Sequence, residues 1–205
     1  MPSEQLARWA ESADVVIAAD SGSDRLSAWE GTPQIVIGDM DSIKAQPPQT
    51  TVIRLEEQDS TDCDKLLAHI RELGHPSVTL ASVEGDRLDH VLSTVASAAR
   101  TELMVRLALR RGVAWVITSG QRVEVPVFGR PRLSLMPIKD SEGVTLQGVE
   151  WPLSEASLSA IGLVSVSNRA SSNKVMAKIG SGAAILVVES AGIQEPDWTV
   201  GFVNP

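Results

Sequence analysis

Four short apolar runs, continuous rather than alternating and each ending in carboxylates, constrain this chain more than any other feature. They are VVIAAD (Val15 to Asp20), QIVIGDMD (Gln34 to Asp41), TTVIRLEE (Thr50 to Glu57) and SVTLASVEG (Ser77 to Gly85). A strand that is apolar on both faces has to be covered on both faces, so the runs predict a parallel α/β sheet clothed in helices. Helical patterns lie between them. One has Ser60 or Thr61 as a cap, Leu66, Leu67, Ile70 and Leu73 on one face, and Gly74 and Pro76 as a stop. A second is predicted from about Leu88 to Ala99, with Leu88, Val91, Leu92 and Val95 at helical spacing and Asp86 as a possible cap.

After Arg100 the period shortens to two. Leu103, Val105, Leu107 and Leu109 alternate with Met104, Arg106, Ala108 and Arg110, and similar alternation returns at Val123, Val125 and Val127, at Leu133 and Leu135, at Val144 and Leu146, at Val164 and Val166, and at Val175, Ala177 and Ile179. FGRP, KDSEG, NRASSN and GSG read as the turns between these runs. The expected architecture is α/β: an N-terminal parallel-sheet, Rossmann-like domain over residues 1–119, followed by a C-terminal antiparallel β-sandwich over residues 120–205.

Composition narrows the function. The 205 residues are 43% apolar, enough for a proper core. Acidic residues outnumber basic ones 26 to 18, a net charge of −8 that argues against a nucleic-acid partner. Aromatic residues make up only 3%, so the core must be aliphatic. Of the five tryptophans, Trp9, Trp29, Trp115 and Trp198 read as packing residues. A single cysteine, Cys63, fits a reducing compartment, and there is neither a leader-like apolar segment at the start nor a run of 18 apolar residues. A cytoplasmic protein without membrane contact is expected.

Ligands of open parallel sheets bind beyond the carboxyl ends of the strands. Here those ends carry Asp20, then Asp39 and Asp41, then Glu56, Glu57, Asp59 and Asp62, then Glu84, Asp86 and Asp89. So much negative charge at one edge would repel itself unless a cation or protons compensated it, and hard oxygen donors suit Mg²⁺ carrying a phosphate ligand. Any one of Asp20, Asp62 or Asp89 alone also suits a helix cap or turn. Asp39 and Asp41 are two apart, which places both on one side of an extended segment, and Gly38 permits close approach. No P-loop, HExxH or GxSxG motif occurs, and the three histidines lack zinc spacing. His69 and His75 read as solvated bystanders, His90 as a site residue or a capping neighbour, and Cys63 as incidental.

The ordered series AADSGSDRL (Ala18 to Leu26), GDMDSI (Gly38 to Ile43), DSTDCDK (Asp59 to Lys65) and EGDRLDH (Glu84 to His90) resembles thiamine pyrophosphokinase. RLSLMPI, VTLQGVEWPL (Val144 to Leu153), SVSNRA (Ser165 to Ala170) and the closing AAILVVE extend the resemblance over about residues 14–190. It implies transfer of the pyrophosphoryl group of ATP to the thiamine hydroxyl, with release of AMP, in a homodimer whose sites lie between subunits. It places metal and phosphate carboxylates at Asp39, Asp41 and Asp62, with Asp20, Ser42, Thr61, Lys65, Arg87 and His90 on the nucleotide side. Asp62 or Asp89 would accept the hydroxyl proton. Trp151, Ser167 and Asn168 fall in the thiamine-binding part, where an aromatic face suits the cationic thiazolium.

The sequence departs from the family where Ser21 and Asp86 replace glycines of phosphate-proximal turns, and where Met1 already falls within what resembles the first helix. Two other readings are therefore set beside the kinase: a catalytically weak thiamine- or nucleotide-binding homologue, and a phosphatase using Asp39 as nucleophile.

Overall fold

In a computed structural model the chain is described at residues 1–26, 31–40, 49–55, 59–85, 87–189 and 202–203, with backbone alone at residues 20, 21, 202 and 203. Helix α1 (Ser3–Glu11) precedes three short strands, β1 (Ile17–Ala19), β2 (Ile35–Gly38) and β3 (Thr51–Arg54). These pair in parallel in the order β1-β2-β3, with Ile17 opposite Ile35 and Ile35 opposite Thr51. The first three apolar runs thus form one parallel sheet, and a 3₁₀ segment, Asp20–Leu26, leaves the end of β1.

The fourth run goes elsewhere. Helix α2 (Asp62–Glu72) leads to β4 (Ser77–Ala81), and α3 (Leu88–Arg100) crosses to β5 (Met104–Leu109), which lies parallel to β4 with Leu80 opposite Leu107. These two strands open a second sheet of ten strands. It continues through β6 (Gly112–Thr118), β7 (Arg122–Pro126), β8 (Arg132–Gln147), β9 (Leu153–Leu158), β10 (Ser165–Arg169), β11 (Lys174–Lys178), β12 (Ser181–Glu189) and β13 (Phe202–Val203). Its main path is β13-β7-β11-β8-β12-β6-β5-β4, with β9 and β10 also on β8, and every pairing but β4·β5 is antiparallel.

β6 joins two cores. Val113, Trp115 and Ile117 pack with Trp9, Val123, Leu135 and Leu186, whereas Ala114 and Val116 turn to the layer of Leu66, Leu67, Ile70 and Ala98 on α2 and α3. That double burial explains why GVAWVIT is apolar throughout although both its neighbours run antiparallel to it. Alternation alone does not single it out.

Three expectations are corrected by the packing. KDSEG is not a turn: residues 139–143 lie inside β8, whose first half pairs with β12 and β10 and whose second half pairs with β9 and β11. Register shifts on β12 absorb the change of partners, and buried Ser141 holds it by donating to the Lys139 carbonyl at 2.7 Å, with the Ala183 carbonyl 3.2 Å from the same hydroxyl. At β10 and just before it, Val166 and Val164 do not form the core face; a register shift between Ser165 and Asn168 turns those two polar residues inward and leaves Val166 exposed. On α3 the inward surface centres on Ser97 and Ala98, so Leu88 and Leu92 remain exposed despite their helical spacing. The residue capping α3 is Arg87, without a side-chain cap bond, while Asp86 lies outside the described residues.

Candidate active site

The carboxyl ends of β1 and β2 lie side by side because the strands are parallel and in register. Asp39 follows β2 directly and is half-buried. The backbone around it is unusual: Gly38 has φ 154° and Met40 has φ 67°, a left-handed conformation that an unbranched side chain tolerates only when the surroundings enforce it. Asp41 and Ser42 lie outside the described residues, as does the side chain of Asp20. Ser82, just past β4, is also left-handed, with φ 60°, and its hydroxyl accepts a 3.0 Å bond from Arg25 of the 3₁₀ segment. Arg25 therefore ties the loop after β1 to the loop after β4; sequence patterns did not mark it.

The start of α2 is built by a reciprocal cap. The Thr61 hydroxyl accepts from the Asp64 N–H at 3.1 Å, while the Asp64 carboxylate accepts from both the Thr61 N–H and the Thr61 hydroxyl. Thr61 therefore has a structural task at the position assigned to nucleotide contact. Asp64 also accepts from Arg100 at 2.8 Å. Partial burial pushes its carboxyl upward, but the bonds from Thr61, Ser97 and Arg100 outweigh that and bring it down to about 2. The spacing Thr61-x-x-Asp64 is a capping-box pattern that the sequence already displayed.

One turn along α2, the Lys65 side chain is almost completely buried; its ammonium donates to the Leu55 carbonyl at 3.1 Å and stands 3.9 Å from the Asp62 carboxylate, which is half-exposed. The lysine thereby fastens the end of β3 to the helix that carries Asp62. At the start of α3, Arg87 and Asp89 form a two-pronged ion pair in solvent, with contacts of 2.5 and 3.3 Å, and the arginine holds the Asp89 carboxyl below its usual range. His90 is exposed in the same turn.

On the other side of the molecule's sequence, Trp151 has 61% of its surface exposed, whereas Trp9 and Trp115 are buried packing residues as expected. Trp29 and Trp198 lie outside the described residues. Ser167 is exposed with φ 58°, and its N–H donates to the Ser134 hydroxyl. Asn168 is 1% exposed, and its amide is bonded to the backbone of Trp151.

One bystander differs from expectation. His69 has only 19% of its side chain exposed and its Nε2 is buried without a hydrogen-bond partner among the described residues, so it is a packing residue rather than a solvated one. Burial pushes the Cys63 thiol up to about 11, which suits an inert, incidental cysteine. Among the described residues no three carboxylate, imidazole or thiol groups converge on a metal position.

The sequence matches the family model "Thiamin pyrophosphokinase, catalytic domain" over residues 6–108 and "Thiamin pyrophosphokinase, vitamin B1 binding domain" over residues 122–184. No curated protein matches the chain at the sequence level. Among solved structures, thiamine pyrophosphokinase from Bacillus subtilis superposes with a TM-score of 0.77 at 20% identity, covering 93% of this chain and 94% of that one. The Geobacillus thermodenitrificans protein gives 0.77 at 22% identity over 94% and 93%. The yeast protein gives 0.69 at 15% identity over 92% and 82%. At such identities the superpositions speak for the fold, and the two family models, which together span most of the sequence, speak for descent. The chain belongs to the thiamin pyrophosphokinase family.

Proposed function

We propose that this chain transfers the pyrophosphoryl group of ATP to the hydroxyl oxygen of thiamine, with the sites read from the sequence carrying the reaction. The observation that carries the proposal is the presence, on one chain matching both family domains, of carboxylates beyond parallel strand ends and of an outward-facing Trp151 within the vitamin-B1-binding match.

The donor set at Asp39, Asp41 and Asp62 consists of hard oxygens and fits Mg²⁺, which would neutralise charge on the polyphosphate. The thiamine oxygen attacks the β-phosphorus, the bond from that phosphorus to the oxygen bridging it to the α-phosphate breaks, AMP leaves, and the hydroxyl proton passes to Asp62 or Asp89. Arg87 is paired with Asp89; on taking a phosphate it would release that carboxylate for proton transfer. Asp20, Ser42 and His90 complete the nucleotide side, while Lys65 and Thr61 hold α2 in register with β3. Trp151 and Ser167 would face thiamine.

The working division is a Rossmann-like domain over residues 1–119 and a sandwich domain over residues 120–205, although the ten-stranded sheet runs through both. A homodimer with its sites between subunits is supported by the exposed Leu88 and Leu92 on α3 and by Leu163 and Val166 in the stretch around β10. The absence of any long apolar helix among the described residues and the unreactive thiol are compatible with a cytoplasmic location.

The test is AMP formation by the purified chain with ATP, thiamine and Mg²⁺. Turnover should require all three, and Asp39→Asn should abolish it with the circular-dichroism spectrum unchanged. ATP cleavage that ignores thiamine, or an active Asp39→Asn variant, would overturn the assignment.

A further inference from the structure

Asn168 is a buried side chain whose amide brackets one neighbour, bonding both the N–H and the carbonyl of Trp151. Its Oδ1 accepts from the Trp151 N–H at 3.2 Å and from the Arg169 N–H at 2.8 Å; its Nδ2 donates to the Trp151 carbonyl at 2.7 Å and to the Ser165 hydroxyl at 3.2 Å. Only a primary amide offers a donor and an acceptor side by side in this way, so the side chain stands in for a peptide unit opposite Trp151.

The surrounding backbone explains why a substitute is needed. Val149 is bridged to Ala170, Glu150 N–H donates to the Arg169 carbonyl, and Ser171 N–H donates to the Gly148 carbonyl, so the segment before Trp151 is laced to the segment after Asn168. The next residue in the lattice of bonds is Trp151, and Pro152 behind it has no N–H to give. The register shift in β10, with Ser167 at φ 58°, turns the Asn168 side chain inward to fill that place and leaves Val166 and Ser167 facing out. The result is an indole exposed to solvent on a backbone held at both its N–H and its carbonyl.

We propose that Asn168 is a positioning residue for thiamine: it touches no substrate and acts by holding the Trp151 backbone so that the indole face is already oriented when the cationic substrate arrives. This rests on Trp151 being the thiamine platform, as proposed above. An exposed tryptophan on a loose loop would have to be ordered on binding, and fixing it beforehand removes that loss from the affinity.

A double-mutant cycle with Asn168→Ala and Trp151→Ala separates the alternatives, read as KM for thiamine and KM for ATP in the full-length chain. Asn168→Ala alone should raise the thiamine KM on the order of tenfold with the ATP KM unchanged. In the Trp151→Ala background the same substitution should add less than about twofold. An undiminished effect in that background means that Asn168 meets thiamine itself, and no effect in the native background means that the clamp is irrelevant; either overturns the proposal. If Trp151→Ala leaves the thiamine KM untouched, the platform assignment falls and takes the proposal with it. Should Asn168→Ala fail to fold, Ser165→Ala removes only the hydroxyl that orients the amide. It should raise the thiamine KM about twofold to threefold, again only when Trp151 is present, and an unchanged or Trp151-independent value overturns the proposal.

Discussion

Asp64 makes the start of α2 sensitive to pH in a way that can be worked through from its bonds. Its carboxyl drops from 3.8 to about 2 on folding, a change equivalent to at most about 2 kcal/mol of stability. The Arg100 arm of the network is 60% exposed, so solvent screening discounts that figure to about 1 kcal/mol. Because the folded value is depressed, the contribution is complete above the unfolded value near 3.8 and disappears as pH falls from about 4 toward 2. Asp64→Asn keeps an oxygen for the Thr61 N–H and loses the charge. Urea unfolding at pH 7 and 5 should show the variant less stable by about 1 kcal/mol, or about 2 to 4 °C in Tm, with the difference roughly halved at pH 3 and mostly lost near pH 2. A difference that stays constant from pH 7 to 3, or none at pH 7, would refute an electrostatic cap. Because α2 also carries Asp62 and Lys65, turnover should fall together with stability.

Other consequences are simpler. Trp151→Ala should raise the thiamine KM by about 2- to 30-fold, the equivalent of about 0.5 to 2 kcal/mol, and leave the Tm of this exposed site nearly unchanged; a large Tm loss would make it a core residue. Gly182→Ala should destabilise by about 3 kcal/mol or more, since φ is +98° and a Cβ would stand 2.2 Å from the Asp140 carbonyl oxygen; a near-native denaturant midpoint would contradict the shape of the β8·β12 bulge. Cys63 should react with iodoacetamide at pH 8 roughly 100-fold more slowly in the native chain than in urea, because its thiol is pushed up to about 11; equal rates would show the α2·α3 layer to be open.

Much of the first half was legible in residue order. Continuous Val- and Ile-rich runs have to be buried on both faces, and the capped pattern from Thr61 to Leu73 corresponds to α2 with its cap at Thr61. Of the candidate site, the position of Asp39 directly after β2 was legible, because strand ends can be read from where apolar runs stop. Less visible was which strand joins which sheet. β4 is recruited by β5, and KDSEG is drawn into β8, because pairing partners far along the chain supply hydrogen bonds that local turn propensity cannot outweigh.

By itself, the amino-acid order determined the alternation of buried strands and helices, the acidic strand ends and the family they resemble, since these depend on local periodicity and motif spacing. Tertiary structure alone decided that Val166, Leu88 and Leu92 face solvent and that Asn168 grips Trp151. Those outcomes turn on which face of α3 packs inward, where the shift in β10 falls and which distant backbone group comes within about 3 Å, and hydrogen bonds of that kind have directions that only the folded chain sets.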